Sequence, residues 1–427
     1  MKIIDINPIQ ILDSRGNPTV EVSILLDDGS KGVFAVPSGA STGIHEAHEL
    51  RDEVENYYHG KSVEKAIENI NKIKKDLYRK EFSQRTFDQK IIELDATENK
   101  SNLGANAMLG LSVAFAKASA LYYNLPLHEY LNRFANEINF KNKKFSEKSE
   151  VHLFANVING GLHAGNGLNI QEFMLVPTFG TLQDKVRAIS EIYQDLKQII
   201  SKKYGKQNTS VGDEGGFAPN IQKTKEALDL LMKAIKHSDY EGKISLAMDA
   251  AASDFYDEKT KKYTVEKGSK FDYKQLTDFY NELIAQYPII SIEDPMAEDD
   301  FEGFEYFRKN VDKLSLKNPL TDKKDILIVG DDLLVTNPQR IKLAKKKKLC
   351  NSLLLKVNQI GTLSESVDAH LLARDSKWHT IVSHRSGETT DSFIADLSVA
   401  LASSIKIGAP ARGERTAKYN RLLEIYQ

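Results

Sequence analysis

After residue 150 one pattern repeats: a short apolar run, a charged residue, then a helical stretch. The runs cover residues 244–248, 289–292, 326–329, 353–355, 380–382 and 404–407, and helix-periodic segments such as 223–237, 273–286 and 338–348 lie between them. Strands that alternate with helices form parallel βαβ units, because a parallel neighbour is reached only through a crossover. A long succession of such units predicts a closed barrel rather than a small open sheet.

The residues that end these runs carry chemistry. Asp249, Glu293-Asp294, Asp331-Asp332, Lys356 and His384-Arg385-Ser386 follow them directly, and Lys406 lies within the last run. In a barrel the strand ends converge on one rim, the C-terminal face where sites are built. One charged residue after a strand is an ordinary solubilising cap; a whole succession points to a site. Asp249, Glu293 and Asp331 offer hard oxygen ligands without His or Cys, which suits Mg2+. Lys356 sits between Leu353-Leu354-Leu355 and Val357. Desolvated beside a cation, it is expected to lose its proton near neutrality and serve as a base; a salt-bridged lysine is the plainer reading. Arg385 and Ser386, on a late strand, suit a phosphate, which a guanidinium grips with two parallel bonds.

The first part of the chain differs. Val20, Val22, Ile24 and Leu26 alternate with other residues, Asp27-Asp28-Gly29 is a turn signal, and 31–36 returns as a strand. Residues 62–131 read as helical, with an Ala-rich stretch at 105–120. The segment KNKKFSEKSE at 141–150 is almost wholly polar and marks a linker. The expected division is an N-terminal domain 1–140, a linker 141–150 and a barrel domain 151–427. Gly-rich loops at 159–167 and 211–216 carry His163 and Glu214, and Gln171-Glu172 follows the first. Neither loop has the spacing of a phosphate loop or a dinucleotide fingerprint, so no nucleotide site is expected. The loop PSGASTG at 37–43 is a candidate lid.

Composition narrows the function classes. With 58 basic and 60 acidic residues the net charge is -2, which removes the electrostatic case for a nucleic-acid or membrane-surface protein. The single cysteine, Cys350, excludes an intramolecular disulfide framework and reads as a core residue. MKIIDINPIQ has no apolar signal region, and no run is long enough to span a bilayer, so a soluble cytoplasmic protein is expected. The lysines at 345–348 read as the basic end of a helix rather than an address.

The motifs, taken in order, resemble the enolase family along effectively the whole chain. They are ILDSRGNPT at 11–19, VPSGASTG at 36–43, NGG-x-HAGN at 159–166, QEFM at 171–174, GDEGGFAPN at 212–220, SIEDP at 291–295, VGDDLLVTNP at 329–338, KVNQIGT at 356–362 and SHRSGET at 383–389. The resemblance implies an α+β N-terminal domain and a C-terminal (β/α)8 barrel with an atypical start, one strand running antiparallel. It implies reversible dehydration of 2-phosphoglycerate to phosphoenolpyruvate, in glycolysis and gluconeogenesis, by a homodimer that in some relatives assembles into an octamer. By motif position Asp249, Glu293 and Asp331 hold one Mg2+, and Ser41 of the lid helps bind a second that depends on substrate. Lys356 becomes the base and Glu214 the acid, with Glu172 paired to it and His163 closing near the leaving group. Arg385 and Ser386 hold phosphate, and His384 and Lys406 contact substrate; His163, Glu172, Glu293 and Lys356 also line its pocket. Asp254 stands where the family is expected to have Glu. Other superfamily dehydratases acting on unphosphorylated acid sugars keep the three carboxylates but do not need Arg385-Ser386, the lid or the Glu214 loop. A catalytically inactive binding protein would not need Lys356 and Glu214. The chain ends in Gln427, so plasminogen binding through a C-terminal lysine is not expected.

Overall fold

In the computed structural model, residues 1–39, 43–137, 150–321, 323–401 and 403–427 are described. The N-terminal part is an antiparallel meander, β1 (Ile3–Leu12), β2 (Pro18–Leu26) and β3 (Lys31–Ala35), followed by α1 (Glu64–Leu77), α2 (Gln84–Asp95), α3 (Ala105–Tyr122) and α4 (Leu127–Ala135). The return strand ends one residue before the expected limit. The long helical stretch resolves into four helices, since Arg79, Ala96 and Asn124 adopt left-handed backbone between them. The Ala-rich α3 lies directly on the sheet: a Cβ on Gly32 would stand 2.1 Å from the Ala114 carbonyl oxygen, so only glycine admits the helix there.

The remainder is β4 (Leu153–Asn159), β5 (Glu172–Pro177), α5 (Leu182–Tyr204), α6 (Thr224–His237), β6 (Ile244–Asp249), a small hairpin of β7 (Tyr256–Asp257) and β8 (Lys262–Tyr263), α7 (Tyr273–Gln286), β9 (Ile289–Glu293), α8 (Phe301–Val311), β10 (Leu327–Gly330), α9 (Pro338–Lys347), β11 (Ser352–Leu355), α10 (Leu363–Asp375), β12 (His379–Ser383), α11 (Phe393–Ala400), β13 (Ser404–Lys406) and α12 (Gly413–Ile425). Strands β4-β5-β6-β9-β10-β11-β12-β13 close a barrel in that order. All neighbours pair parallel except β5, which is antiparallel to both β4 and β6. The expected barrel is therefore present, with its atypical start. The helix starts follow local chemistry: Thr181 and Asp184 form a capping box on α5, Asp272 and Gln275 on α7, and Asn337 caps α9 with Pro338 in its first turn. Lys345, Lys346 and Lys347 fill the last turn of α9, as the dipole favours.

Alternation sorts the strand residues. Phe154, Met174, Val176, Ala247, Ile290, Leu327, Val329, Leu354 and Ile381 form a separate buried cluster that fills the barrel. Their neighbours in sequence, such as Phe173, Met248, Ile328, Leu355 and Val382, join the larger core beneath the helices. That core continues into the N-terminal part, where the Leu363 and Ser364 amides at the start of α10 donate to Ser112 Oγ and Asp88 Oδ2, both at 2.9 Å. Cys350 is buried in it. Among the described residues no helix is long and apolar enough to cross a membrane. Most of the expected linker, 141–149, lies outside the described residues.

Candidate active site

The barrel parity decides what reaches the rim. Glu172, Asp249, Asp331, Lys356 and Lys406 each stand an even number of residues from an interior-facing residue or partner of their own strand, so they project inward above the plug. Glu172 pairs with Asp249, and Asp249 with Glu293, across adjacent strands. Because β5 is reversed, its first residue arrives at the rim where the parallel strands end.

Lys406 is the hub. Its ammonium donates to Glu172 Oε1 at 3.0 Å, Asp249 Oδ2 at 3.2 Å, and Glu293 Oε1 and Oε2 at 2.8 and 3.0 Å. All four residues are buried. Burial works against its charge, but Glu172, Glu293 and Asp249 hold Lys406 well above the ordinary lysine range. One ammonium faces three carboxyl groups, more acids than a single cation can balance. Burial and the neighbouring Asp249 push the Glu293 carboxyl up; burial and Glu214 push Glu172 up. Glu172 Oε2 has no hydrogen-bond partner. An all-oxygen set with surplus acid groups and an unpartnered buried oxygen fits a hard divalent cation. The tightest carboxylate grouping on this side is Asp294, Asp331 and Asp332, whereas Asp249 and Glu293 meet through Lys406.

On one flank Lys356 forms an ion pair with Asp331 Oδ2. The loop after β10 builds this flank. Val335 and Thr336 take φ values of 43° and 54°, a left-handed conformation that β-branched residues adopt only under strain. This turn puts Thr336 Oγ1 where it accepts the Lys356 amide at 2.9 Å and donates to Gln359 Oε1 at 2.8 Å. Gln359 Nε2 then donates to Asp331 Oδ1 at 2.9 Å. Burial works against the Lys356 charge, yet Asp331 holds the ammonium above its usual range. Lys356 is thus ion-paired to Asp331, as the plainer of the two readings expects.

The other flank surrounds Glu214. Asn156 Nδ2 donates to its Oε2 at 2.6 Å, and His384 Nε2 and His163 Nδ1 lie 3.4 and 3.5 Å from its Oε1. Burial opposes ionisation, but His384, His163, Lys406 and Arg415 hold Glu214 well below the carboxylate range. Glu172, 4.0 Å from His163, is shifted the opposite way. The two carboxyls are therefore driven apart in acidity, Glu214 toward the charged form and Glu172 toward the protonated one.

Arg385 and Ser386 are buried beside this cleft, which Lys356, Lys406, His163, Glu172 and Glu214 also line. The Arg385 guanidinium donates to Asn358 Oδ1 at 2.8 Å and to Glu46 at 3.3 Å. Ser38 and Gly387 exchange backbone bonds of 2.7 and 2.9 Å, fixing the root of the loop at 37–43 onto this segment. Gly387 has no room for a Cβ, which would meet Asp13, Arg15 and Ser38 within 2.7 Å. Ser41 lies outside the described residues.

Comparison with known proteins accounts for this arrangement. Residues 151–427 match the family model for the enolase C-terminal TIM barrel domain, and 3–131 match that for the enolase N-terminal domain. The chain belongs to the enolase family. It is 50% identical over 430 residues to the enolase of Methanocaldococcus jannaschii, covering 100% of this chain and 95% of that one. It is 49% identical over 425 residues to the enolase of Thermococcus gammatolerans, covering 97% and 92%. Membership along the whole chain makes it an enzyme of the phosphopyruvate hydratase kind.

Several residues that support this site are given no role by strand-end spacing. Asn156 shares the inward parity of Phe154 on β4, a signal that was available. Gln359 and Thr336 act through backbone and amide contacts that no spacing rule anticipates. Arg415 reaches the site from the last helix. Asp254 is exposed, yet partial desolvation and then the Asp249 charge push its carboxyl up to about 6.

Proposed function

We propose that the chain interconverts 2-phosphoglycerate and phosphoenolpyruvate. Arg385 and Ser386 bind the phosphate, and Lys406 and His384 contact the substrate. Lys356 takes the proton from the carbon that bears the phosphate, and the electron pair of that C–H bond moves into the carboxylate as an aci-carboxylate. The pair returns to form the C=C bond as the hydroxyl on the next carbon leaves as water, protonated by the Glu214–Glu172 pair with His163 closing on it. Asp249, Glu293 and Asp331 would hold one Mg2+, and Ser41 would join a second that comes with substrate. When bound, these cations supply positive charge toward the substrate carboxylate.

The observation that carries the reading is the separation of two proton-handling flanks by one Lys406-centred carboxylate cluster. A base alone supplies about 10²–10⁴-fold, so the rest must come from charge stabilisation in a dry site. As a ligand of Mg2+, Asp331 would share its charge with the ion, and the desolvated Lys356 would then yield its proton more readily. The same reading takes 1–140 as the lid-bearing domain and 151–427 as the catalytic one, and a cytoplasmic homodimer as the working unit. Ile9 and Leu12, 43% and 57% exposed on the edge strand β1, are apolar surface consistent with such a dimer. Mixing the protein with 2-phosphoglycerate and Mg2+ and following the ultraviolet absorbance of the enol product tests the activity. Folded protein that gives no signal refutes it.

A further inference from the structure

Arg415 heads the fully buried side chains by volume, at 0% exposure. It stands on α12, and the reaction outlined above gives it no part. One terminal nitrogen, Nη1, donates to His384 Nδ1 at 2.7 Å and to the Arg385 carbonyl at 2.7 Å. The other, Nη2, donates to the carbonyls of Asp213 at 3.0 Å and Ser386 at 2.8 Å. Its Nε faces Glu414 Oε1 at 3.5 Å. A guanidinium has donors only, so His384 Nδ1 must accept, and the proton of the neutral ring then sits on Nε2. That nitrogen is the one 3.4 Å from Glu214 Oε1. A second ring proton could enter only at Nδ1, where Arg415 already stands.

We propose that Arg415 is a positioning residue of this site, which fixes His384 as the neutral tautomer with its proton on Nε2 and ties the Glu214 loop, through Asp213, to the Arg385-Ser386 segment. The ring then donates toward Glu214 and the leaving hydroxyl instead of competing for the proton that Glu214 must handle. The consequence for catalysis rests on the proposed dehydration; the tautomer does not. The charged and titratable groups facing the ring are Glu214, Arg415, Lys406 and His163, and burial with the last three outweighs Glu214 in opposing a second proton.

The direct test is the nitrogen spectrum of histidine-labelled wild-type protein without substrate, with His384 identified by the signal lost in His384→Gln. The expected result is an unprotonated Nδ1 and a protonated Nε2 throughout about pH 5 to 8. A proton on Nδ1, or titration within that window, overturns the proposal. Arg415→Met should let the ring protonate at higher pH and move the acid limb of the kcat profile upward by about 1 unit or more, with a smaller change in KM. Arg415→Lys, which keeps charge and one donor, should restore part of the shift. A folded Arg415→Met with unmoved ring titration and an unmoved profile also overturns it; if that variant does not fold, the wild-type spectrum decides. Wild-type protein that shows the expected tautomer but no dehydration would sink the functional reading and leave the positioning role standing.

Discussion

The Lys356 flank and the Glu214 flank face the same buried rim and are held in opposite ways. Lys356 is kept charged chiefly by one ion-paired carboxylate, Asp331, which is itself aligned by Gln359 and, through it, by Thr336. Glu214 is kept charged by an amide donor, two histidines and two more distant cations, while its partner Glu172 is driven the other way. The first flank depends mainly on one partner and so can be switched by giving that partner something else to bind. The second spreads its support over many groups and is preset. A dehydration that first needs a base and then an acid has use for both: a lysine whose charge hangs mainly on one partner, and two carboxyls driven apart in acidity.

This difference predicts effects of unequal size. Removing divalent cations by chelation should abolish activity, with Mg2+ restoring it, because the substrate carboxylate would lose the positive charge that Asp249, Glu293 and Asp331 would hold beside it. Asp331→Ala should lose metal affinity, since two carboxylates remain to hold the ion; full activity of this variant at low Mg2+ would remove the switch from the account. On the preset flank a single loss should be cushioned. Asn156→Ala takes away one hydrogen bond to an ionised carboxylate, which is worth about 1.5–3 kcal/mol. A fall in kcat of about 10–100-fold follows from that, with Mg2+ affinity unchanged. A total loss would mean that Asn156, and not the shared field, governs Glu214. The smallest effect is expected at Thr336. Thr336→Val should cost about 1–3 kcal/mol of stability, from the unsatisfied Lys356 amide and Gln359 oxygen, while Thr336→Ser should not. Denaturant unfolding of the two variants checks this, and equal stabilities would show that the loop does not need the hydroxyl.

The two flanks also differ in how far the sequence discloses them. Asp331 and Lys356 end apolar runs of parallel strands, where alternation and the barrel rule together place a side chain without coordinates. The parallel strands from β6 onward were legible for the same reason. β4 and β5 were not separable by pattern, because nothing in a short apolar run tells which way the strand points; only the family resemblance anticipated the reversed β5 that brings Glu172 to the rim. Glu214 sits in a glycine loop with no period to read. The groups that set its charge come from β4, the loop at 161–163, the segment after β12 and α12, so their effect is a property of assembly. The ion pair of Lys356 is the part that spacing does not disclose: desolvation follows from its apolar neighbours, but the pairing depends on Asp331 lying within reach across two adjacent strands.

The account stands on two separate proton transfers, one on each flank, and solvent exchange reads them apart. In deuterated buffer with 2-phosphoglycerate and Mg2+, Glu214→Gln should lose dehydration by about 10²–10⁴-fold and still exchange the substrate's alpha proton, because Lys356 works without it. Lys356→Ala should lose both, with circular dichroism and Mg2+ affinity showing that fold and metal binding are intact. The opposite pattern, exchange kept in Lys356→Ala and lost in Glu214→Gln, would contradict the assignment of base and acid to the two flanks.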